Sequence, residues 1–141
     1  MRFWDASAIV PLVVEEPERE AMLTLLEQDD VMLVWWATPV ECTSAIVRRE
    51  RDGTLTAAQA AASLKRLRYL KERWHEVQPS AVLRDVAERL LRVHPLRAAD
   101  SLQLAAAIIA AEREPATLDL VSLDDRLGDA ASREGFHVLG E

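Results

Sequence analysis

Between Arg97 and Ala110 the chain reads RAADSLQLAAAIIA, a helix-forming run in which almost every residue after the first turn is apolar. A helix that is hydrophobic around most of its circumference belongs inside a core, so the remaining elements have to close around it. The carboxylate of Asp100 then stands where this helix enters the core. Two explanations compete for it. An acid in the first turn of a helix interacts favourably with the positive end of the helix dipole and with unpaired backbone N–H groups, a gain of about 0.3–1 kcal/mol. Alternatively, Asp100 is one of several acids converging on a cation, which only the rest of the chain can decide.

The 141 residues are expected to form one domain, 1–141, large enough for a substantial core. Half of them are hydrophobic and 29% charged, a balance that excludes an intrinsically disordered chain. Cys42 is the lone cysteine, which excludes an internal disulfide and a cysteine-built zinc cluster and points to a cytoplasmic location. The apolar start, Met1 to Val14, is interrupted by Asp5 and is followed by no small-residue cleavage region. The longest uncharged apolar stretch, Ser101 to Ala111, falls well short of the roughly 20 residues that a membrane span needs. The net charge of -7 argues against a generic nucleic-acid coat. Basic residues nevertheless cluster at Arg48, Arg49 and Arg51, at Lys65, Arg66, Arg68, Lys71 and Arg73, and at Arg84, Arg89, Arg92 and Arg97; each cluster is read first as a solvated helix face.

Taken in order, the chain alternates short apolar runs with helical periodicities. Arg2-Phe3-Trp4 reads as a buried strand ending at Asp5, with a helix beginning just beyond it, and Asp5 or Ser7 is a natural cap for that helix. Pro17 suits the first position of a second helix running to about Gln28, and Val31 to Trp36 reads as a parallel strand covered on both faces. Thr38-Pro39-Val40-Glu41 has the signature of a capping box, Thr38 as N-cap and Glu41 as its acid, opening a helix that stops at Asp52-Gly53. Thr56 caps the next helix, which would pack against the preceding one as a hairpin. A short strand at Trp74 to Val77, an amphipathic helix from Ala81 to Arg92 carrying Val82, Val86, Leu90 and Leu91, and the buried helix from Ala98 to Arg113 follow. The strand Leu118 to Ser122 then delivers Asp124 and Asp125 at its carboxyl end. A helix from Asp125 to Glu134 closed by Gly135, and a last strand from Phe136 to Leu139, complete the chain. Alternation of this kind predicts an α/β fold with a parallel sheet.

Two strands therefore end in acids, Asp5 and Asp124, and two helices carry acids in their first turns, Glu41 and Asp100. A parallel sheet brings these elements to one edge, where four carboxylates repel one another unless a cation compensates them. Oxygen ligands without histidine or cysteine select Mg²⁺ or Mn²⁺ over zinc.

At these residues the sequence resembles the PIN-domain nucleases, and within them the VapC-type toxins of bacterial toxin–antitoxin (VapBC) pairs. The resemblance extends over essentially the whole chain. Trp4 to Ala8 is similar to the family's strand-Asp-x-Ser-Ala opening, Pro39-Val40-Glu41 to its second acidic motif, Arg97 to Ala105 to its third, and Val121-Ser122-Leu123-Asp124 to its fourth. Ser122 stands where many members carry threonine, and Asp125 adjoins Asp124, so the fourth acid is either of these two.

The resemblance implies a three-layer α/β/α sandwich around a central parallel sheet. It further implies Mg²⁺-dependent endoribonuclease activity, with Mn²⁺ as a substitute, on an RNA substrate, a homodimer, and a cognate VapB-like antitoxin that blocks the site. Asp5, Glu41, Asp100 and Asp124 are the expected catalytic residues and metal ligands, with Asp125, Ser7 and Ser122 as further candidates. Cleavage by an activated water, without the ribose 2′-hydroxyl, leaves 5′-phosphate and 3′-hydroxyl ends. Two variants of the reading stay open: an RNA-processing PIN nuclease that is not a toxin, and an inactive PIN module used for binding. A haloacid-dehalogenase-like phosphatase also places an Asp after its first strand, but it needs a second acid where this chain has Ser7. His75, His94 and His137 are read as surface or packed residues, and Trp35 and Trp36 as core or dimer contacts.

Overall fold

The computed structural model describes residues 1–140. In chain order its elements are β1 (Arg2–Trp4), α1 (Ala6–Val13), α2 (Arg19–Gln28), β2 (Met32–Trp35), α3 (Thr38–Arg51), α4 (Ala57–Lys71), β3 (His75–Val77), α5 (Ala81–Val93), α6 (Ala98–Ala110), β4 (Asp119–Val121), α7 (Asp125–Arg133) and β5 (Val138–Leu139). A single 3-10 turn, Pro115–Thr117, leads into β4. The five strands form one sheet in the order β3-β2-β1-β4-β5, every pair parallel.

Because strand side chains alternate between faces, the short apolar strands supply two cores at once. Phe3, Leu33, Trp35 and Leu120 pack against α5, α6 and α7. Trp4, Met32, Val34 and Val121 pack against the other layer, which α1, α2, α3 and α4 build. The result is the three-layer α/β/α architecture expected from the alternation of elements, with a fully parallel sheet that is buried on both faces. Helix α6 is buried as its composition requires: Leu104, Ala105, Ala106 and Ala107 have no exposed surface. The small side chains of the three alanines let α6 lie close against both the sheet and α5.

Several local expectations are met through their chemistry. Thr56 and Gln59 form a capping box at the start of α4, with Thr56 Oγ1 accepting from the Gln59 N–H at 3.1 Å and Gln59 Oε1 accepting from the Thr56 N–H at 2.9 Å. Gly135 closes α7 at φ 105°, with the Phe136 N–H reaching back to the Ala131 carbonyl at 3.0 Å. The basic cluster from Lys65 to Arg73 is exposed, as a solvated helix face should be, and one of its members also serves a helix end. Arg19 and Arg66 donate to the carbonyls of Leu12 and Val13 at 2.8 and 3.1 Å, satisfying the carboxyl end of α1.

Other expectations are corrected. Pro17 lies in a turn, and α2 begins at Arg19 with Glu18 as its cap residue. Thr38 is the first residue of α3 and not its N-cap; Ala37 takes that place without a side-chain bond, because the Thr38 hydroxyl is buried and used elsewhere. Helix α6 stops at Ala110, since Glu112 and Arg113 adopt left-handed φ values of 52° and 62°. On α5 the buried stripe is Leu83, Val86, Ala87 and Leu90, so Val82 and Leu91 fall to either side of it and remain exposed. Trp35 is a core residue, in keeping with its reading, and Trp36 is 52% exposed. The histidines keep to their reading as packed or surface residues: His94 is packed, its Nε2 2.7 Å from Glu134, and His137 meets Asp119 at the surface.

Candidate active site

From β1 the chain builds outward to β2 and β3 on one side, and later to β4 and β5 on the other. Parallel sheets open a crevice at the carboxyl ends of the strands where the winding reverses, and here that place lies between β1 and β4. Asp5 follows β1 directly. The register Trp4↔Val121 sets Ser122 beside it, and the Asp5 N–H donates to the Val121 carbonyl at 3.1 Å. A cavity of about 380 Å³ opens at this point, lined by Asp5, Ser7, Glu41, Arg48, Arg49, Asp100 and Asp124 among others. All four acids singled out in the sequence therefore meet around one space. A larger groove of about 450 Å³ along α3, between Pro39 and Arg51, contains no carboxylate, so chemistry and not volume distinguishes the candidate site.

Each of the four acids sits at the amino end of a different helix. Asp5 is the N-cap of α1, its Oδ1 accepting the Ser7 N–H at 2.8 Å. Asp124 is the N-cap of α7, its Oδ1 accepting the Leu127 N–H at 3.0 Å. Asp100 lies in the first turn of α6 and accepts the Arg97 N–H at 3.1 Å through Oδ2, and Glu41 lies in the first turn of α3. Four helix dipoles thus direct their positive ends toward one acidic cavity, and this is how the fold tolerates so much negative charge in one place. Capping and ligation are not exclusive. Among the described residues, Asp100 Oδ1, Asp124 Oδ2 and Glu41 Oε1 take no protein hydrogen bond. None of the four acids is in a salt bridge there either.

Asp5 is held most firmly. It is 4% exposed, and its Oδ2 accepts hydroxyl bonds from Ser7, at 2.7 Å, and from Ser122. The same two serines fasten the loop after β4, Ser7 Oγ accepting from the Leu123 N–H at 2.9 Å and Ser122 Oγ from the Asp124 N–H at 3.1 Å. Ser7 and Ser122 thus link the first acid to the fourth. Burial pushes the Asp5 carboxyl above the ordinary carboxylate range, opposed by these hydrogen bonds and assisted by the charge of Asp124. Glu41 is raised further, to about 7, by burial first, with the charges of Asp5 and Asp100 adding to it and the hydrogen bond from Gln103 opposing.

The neighbouring candidates separate. Asp125 is the exposed first residue of α7; it lines an adjoining hollow with Arg97, Asp100, Asp124 and Arg126 but not the four-acid cavity. The sequence pointed to no role for Gln103 or Gly140. Gln103 is 2% exposed and donates through Nε2 to Thr38 Oγ1 at 3.0 Å and to Glu41 Oε2 at 2.6 Å, while its Oε1 is buried without a partner. Leaving a buried acceptor unpaired costs about 1–3 kcal/mol. Gly140, at φ 104°, is pressed against the Ser122 carbonyl: a Cβ there would stand 2.8 Å from that oxygen. A polar residue among the alanines of α6 was the one visible signal for Gln103.

Among the described residues no three His, Cys, Asp or Glu side chains are close enough to form a ready-made ligand cluster. The donor set nevertheless fits a hard divalent cation. It consists of carboxylates without histidine or cysteine, and it leaves lone pairs free.

A parallel α/β/α domain with an acidic cavity at its topological switch point is the class that fold and site define. The PIN domain family model matches residues 2–132, and the chain belongs to that family. No curated protein matches the chain. Among solved structures, it is similar to FitAcB from Neisseria gonorrhoeae, with a TM-score of 0.65 at 15% identity, covering 98% of this chain and 96% of that one. At that identity the likeness speaks for the fold alone.

Proposed function

We propose that this PIN-domain protein is a divalent-metal-dependent endoribonuclease, with Asp5, Glu41, Asp100 and Asp124 as metal-binding and catalytic residues. The observation that carries the reading is the convergence of these four acids, from four helix N-termini, on one cavity at the β1/β4 switch point. Mg²⁺ is the expected ion, with Mn²⁺ as a substitute, because all the donors are oxygens. The chemistry that such an ion supplies when bound is Lewis acidity toward a phosphate oxygen and toward the attacking water.

The chain's own residues account for the rest. Gln103 occupies Glu41 Oε2, which leaves Oε1 free to face a cation or the proton of an attacking water. Asp5, tied by Ser7 and Ser122, is suited to be a fixed ligand, and Ser122 also holds the backbone N–H of Asp124. Arg48, exposed at the cavity's edge, and Arg97 and Arg126 in the adjoining hollow are suited to flanking phosphates, so the net negative charge does not prevent a polyanion from approaching. The ribose 2′-hydroxyl plays no part, and the products carry 5′-phosphate and 3′-hydroxyl ends.

The ordered motif set further supports a toxin of a VapBC-type pair, acting on RNA, held by a cognate VapB-like antitoxin and assembled as a homodimer in the cytoplasm. Exposed Trp36 and Val40, the latter bordering the apolar groove of α3, supply surface for such contacts. No helix of the described residues is long and apolar enough to cross a membrane.

The test is cleavage of end-labelled RNA by the purified chain with Mg²⁺ and with EDTA. Asp100→Asn keeps an oxygen to cap α6 but removes the charge; the expected result is loss of at least 100-fold in rate with the fold unchanged by circular dichroism, on the order of removing one key electrostatic contact. Undiminished cleavage by the variant overturns the assignment. Growth arrest on expression that vanishes in the same variant separates a toxin from a processing nuclease.

A further inference from the structure

Gln103 lies one helical turn after Asp100 on α6, so both project from the same side of that helix. Thr38 and Glu41 are related in the same way on α3. The Gln103 amide joins the two helices: each of its Nε2 hydrogens is used, one on Thr38 Oγ1 and one on Glu41 Oε2. The reverse orientation of the amide would set an oxygen against the carboxylate, so the donor must face Glu41. That choice leaves Oε1 buried and unpartnered. An apolar side chain of the same length would fill this position without an orphaned acceptor, and the following residues from Leu104 to Ile108 are apolar. Nothing in packing α6 calls for an amide; the carboxylate across the cavity does.

We propose that Gln103 is a positioning residue: by bridging Thr38 and Glu41 it fixes where α3 presents the Glu41 carboxylate relative to Asp100, and thereby sets the cavity's affinity for a divalent cation. The inference rests on the reading of the cavity as a cation site. Groups that orient metal ligands from outside the coordination shell typically change metal affinity 10–100-fold when removed.

The experiment is isothermal titration of Mn²⁺ and of Mg²⁺ into the full chain without RNA. Gln103→Met keeps volume and loses the donor; an affinity loss of about 10–100-fold is expected. Gln103→His, whose neutral ring offers one N–H in place of the amide's two, should recover only the part of it that the Glu41 bond supplies. Acting through Glu41 also predicts that Glu41→Gln/Gln103→Met binds no more weakly than Glu41→Gln alone. Wild-type affinity in a folded Gln103→Met, or additive losses in the double variant, overturns the proposal. If Gln103→Met does not fold, Gln103→Leu, which also lacks the donor, is scored by the same criteria. A wild-type chain that binds neither ion refutes the cation site itself and Gln103's role with it, whereas wild-type binding with an unaffected Gln103→Met refutes the role of Gln103 alone.

Discussion

The charge on Glu41 should make the metal-free protein less stable at alkaline than at acid pH. Its carboxyl rises from an ordinary 4.5 to about 7 in the folded chain, chiefly through burial, with Asp5 and Asp100 adding repulsion. Between those two values the folded state holds a proton that the unfolded state has lost, so stability falls as pH rises through this window. At 1.36 kcal/mol per unit the full shift corresponds to about 3.4 kcal/mol; discounting for the partial exposure of Glu41 leaves roughly 2 kcal/mol. Glu41→Gln keeps an acceptor for Gln103 and removes the charge. In EDTA it should therefore match the wild type near pH 4.5 and exceed it by about 2 kcal/mol at pH 8, or about 6 °C in melting temperature for a chain of this size. Urea unfolding at both pH values measures the difference, and saturating Mg²⁺ should shrink the variant's advantage by stabilising the wild type, which keeps all four acids, more than the variant. A gap that does not change with pH, or a Glu41 carboxyl that titrates near 4.5 by NMR, refutes the reasoning.

Two further perturbations test the backbone around the site. Gly140→Ala forces a Cβ to within 2.8 Å of the Ser122 carbonyl at a left-handed φ, and the cost should be about 1–3 kcal/mol in urea unfolding, with cleavage falling as Ser122 is pushed off Asp5. A variant within about 0.5 kcal/mol of wild type contradicts this account. At the end of α6, the N–H groups of Glu112 and Arg113 return to the Ile109 and Ile108 carbonyls in a Schellman turn whose left-handed position holds Glu112 in place of the usual glycine. Glu112→Gly should raise stability by roughly 0.5–1 kcal/mol, the relieved strain exceeding the glycine's added unfolded-state entropy, and a loss of stability counts against it.

Legibility along the chain followed the range of the interactions involved. The strands and helices were readable because periodicity, caps and turn residues act within a few positions: Thr56 with Gln59, Gly135 after α7, and the apolar run of β2 each behave as their local chemistry dictates. Thr38 and Glu41 show the limit. Their spacing is that of a capping box, yet both side chains turn to Gln103, a partner that lies more than sixty positions away in the chain. A local motif sets out what a side chain is able to do, and a buried donor from another helix outcompetes it. The helix beginning at Ala98 shows the opposite case, because an all-round apolar surface admits only a buried place.

For the acids themselves, the sequence determined their identity, their order and their attachment to strand ends and helix starts. Only the tertiary structure decided that they share one cavity, since proximity comes from the parallel pairing of β1 with β4 and from the packing of α3 and α6 on opposite faces of the sheet. It also distinguished Asp124 from Asp125: the N-cap side chain folds back over the amino end of α7 into the crevice, while the next residue starts the helix on its exposed side. The roles of Gln103 and Gly140 emerged only there, because hydrogen-bond partners and close approaches depend on positions in space that no local pattern records.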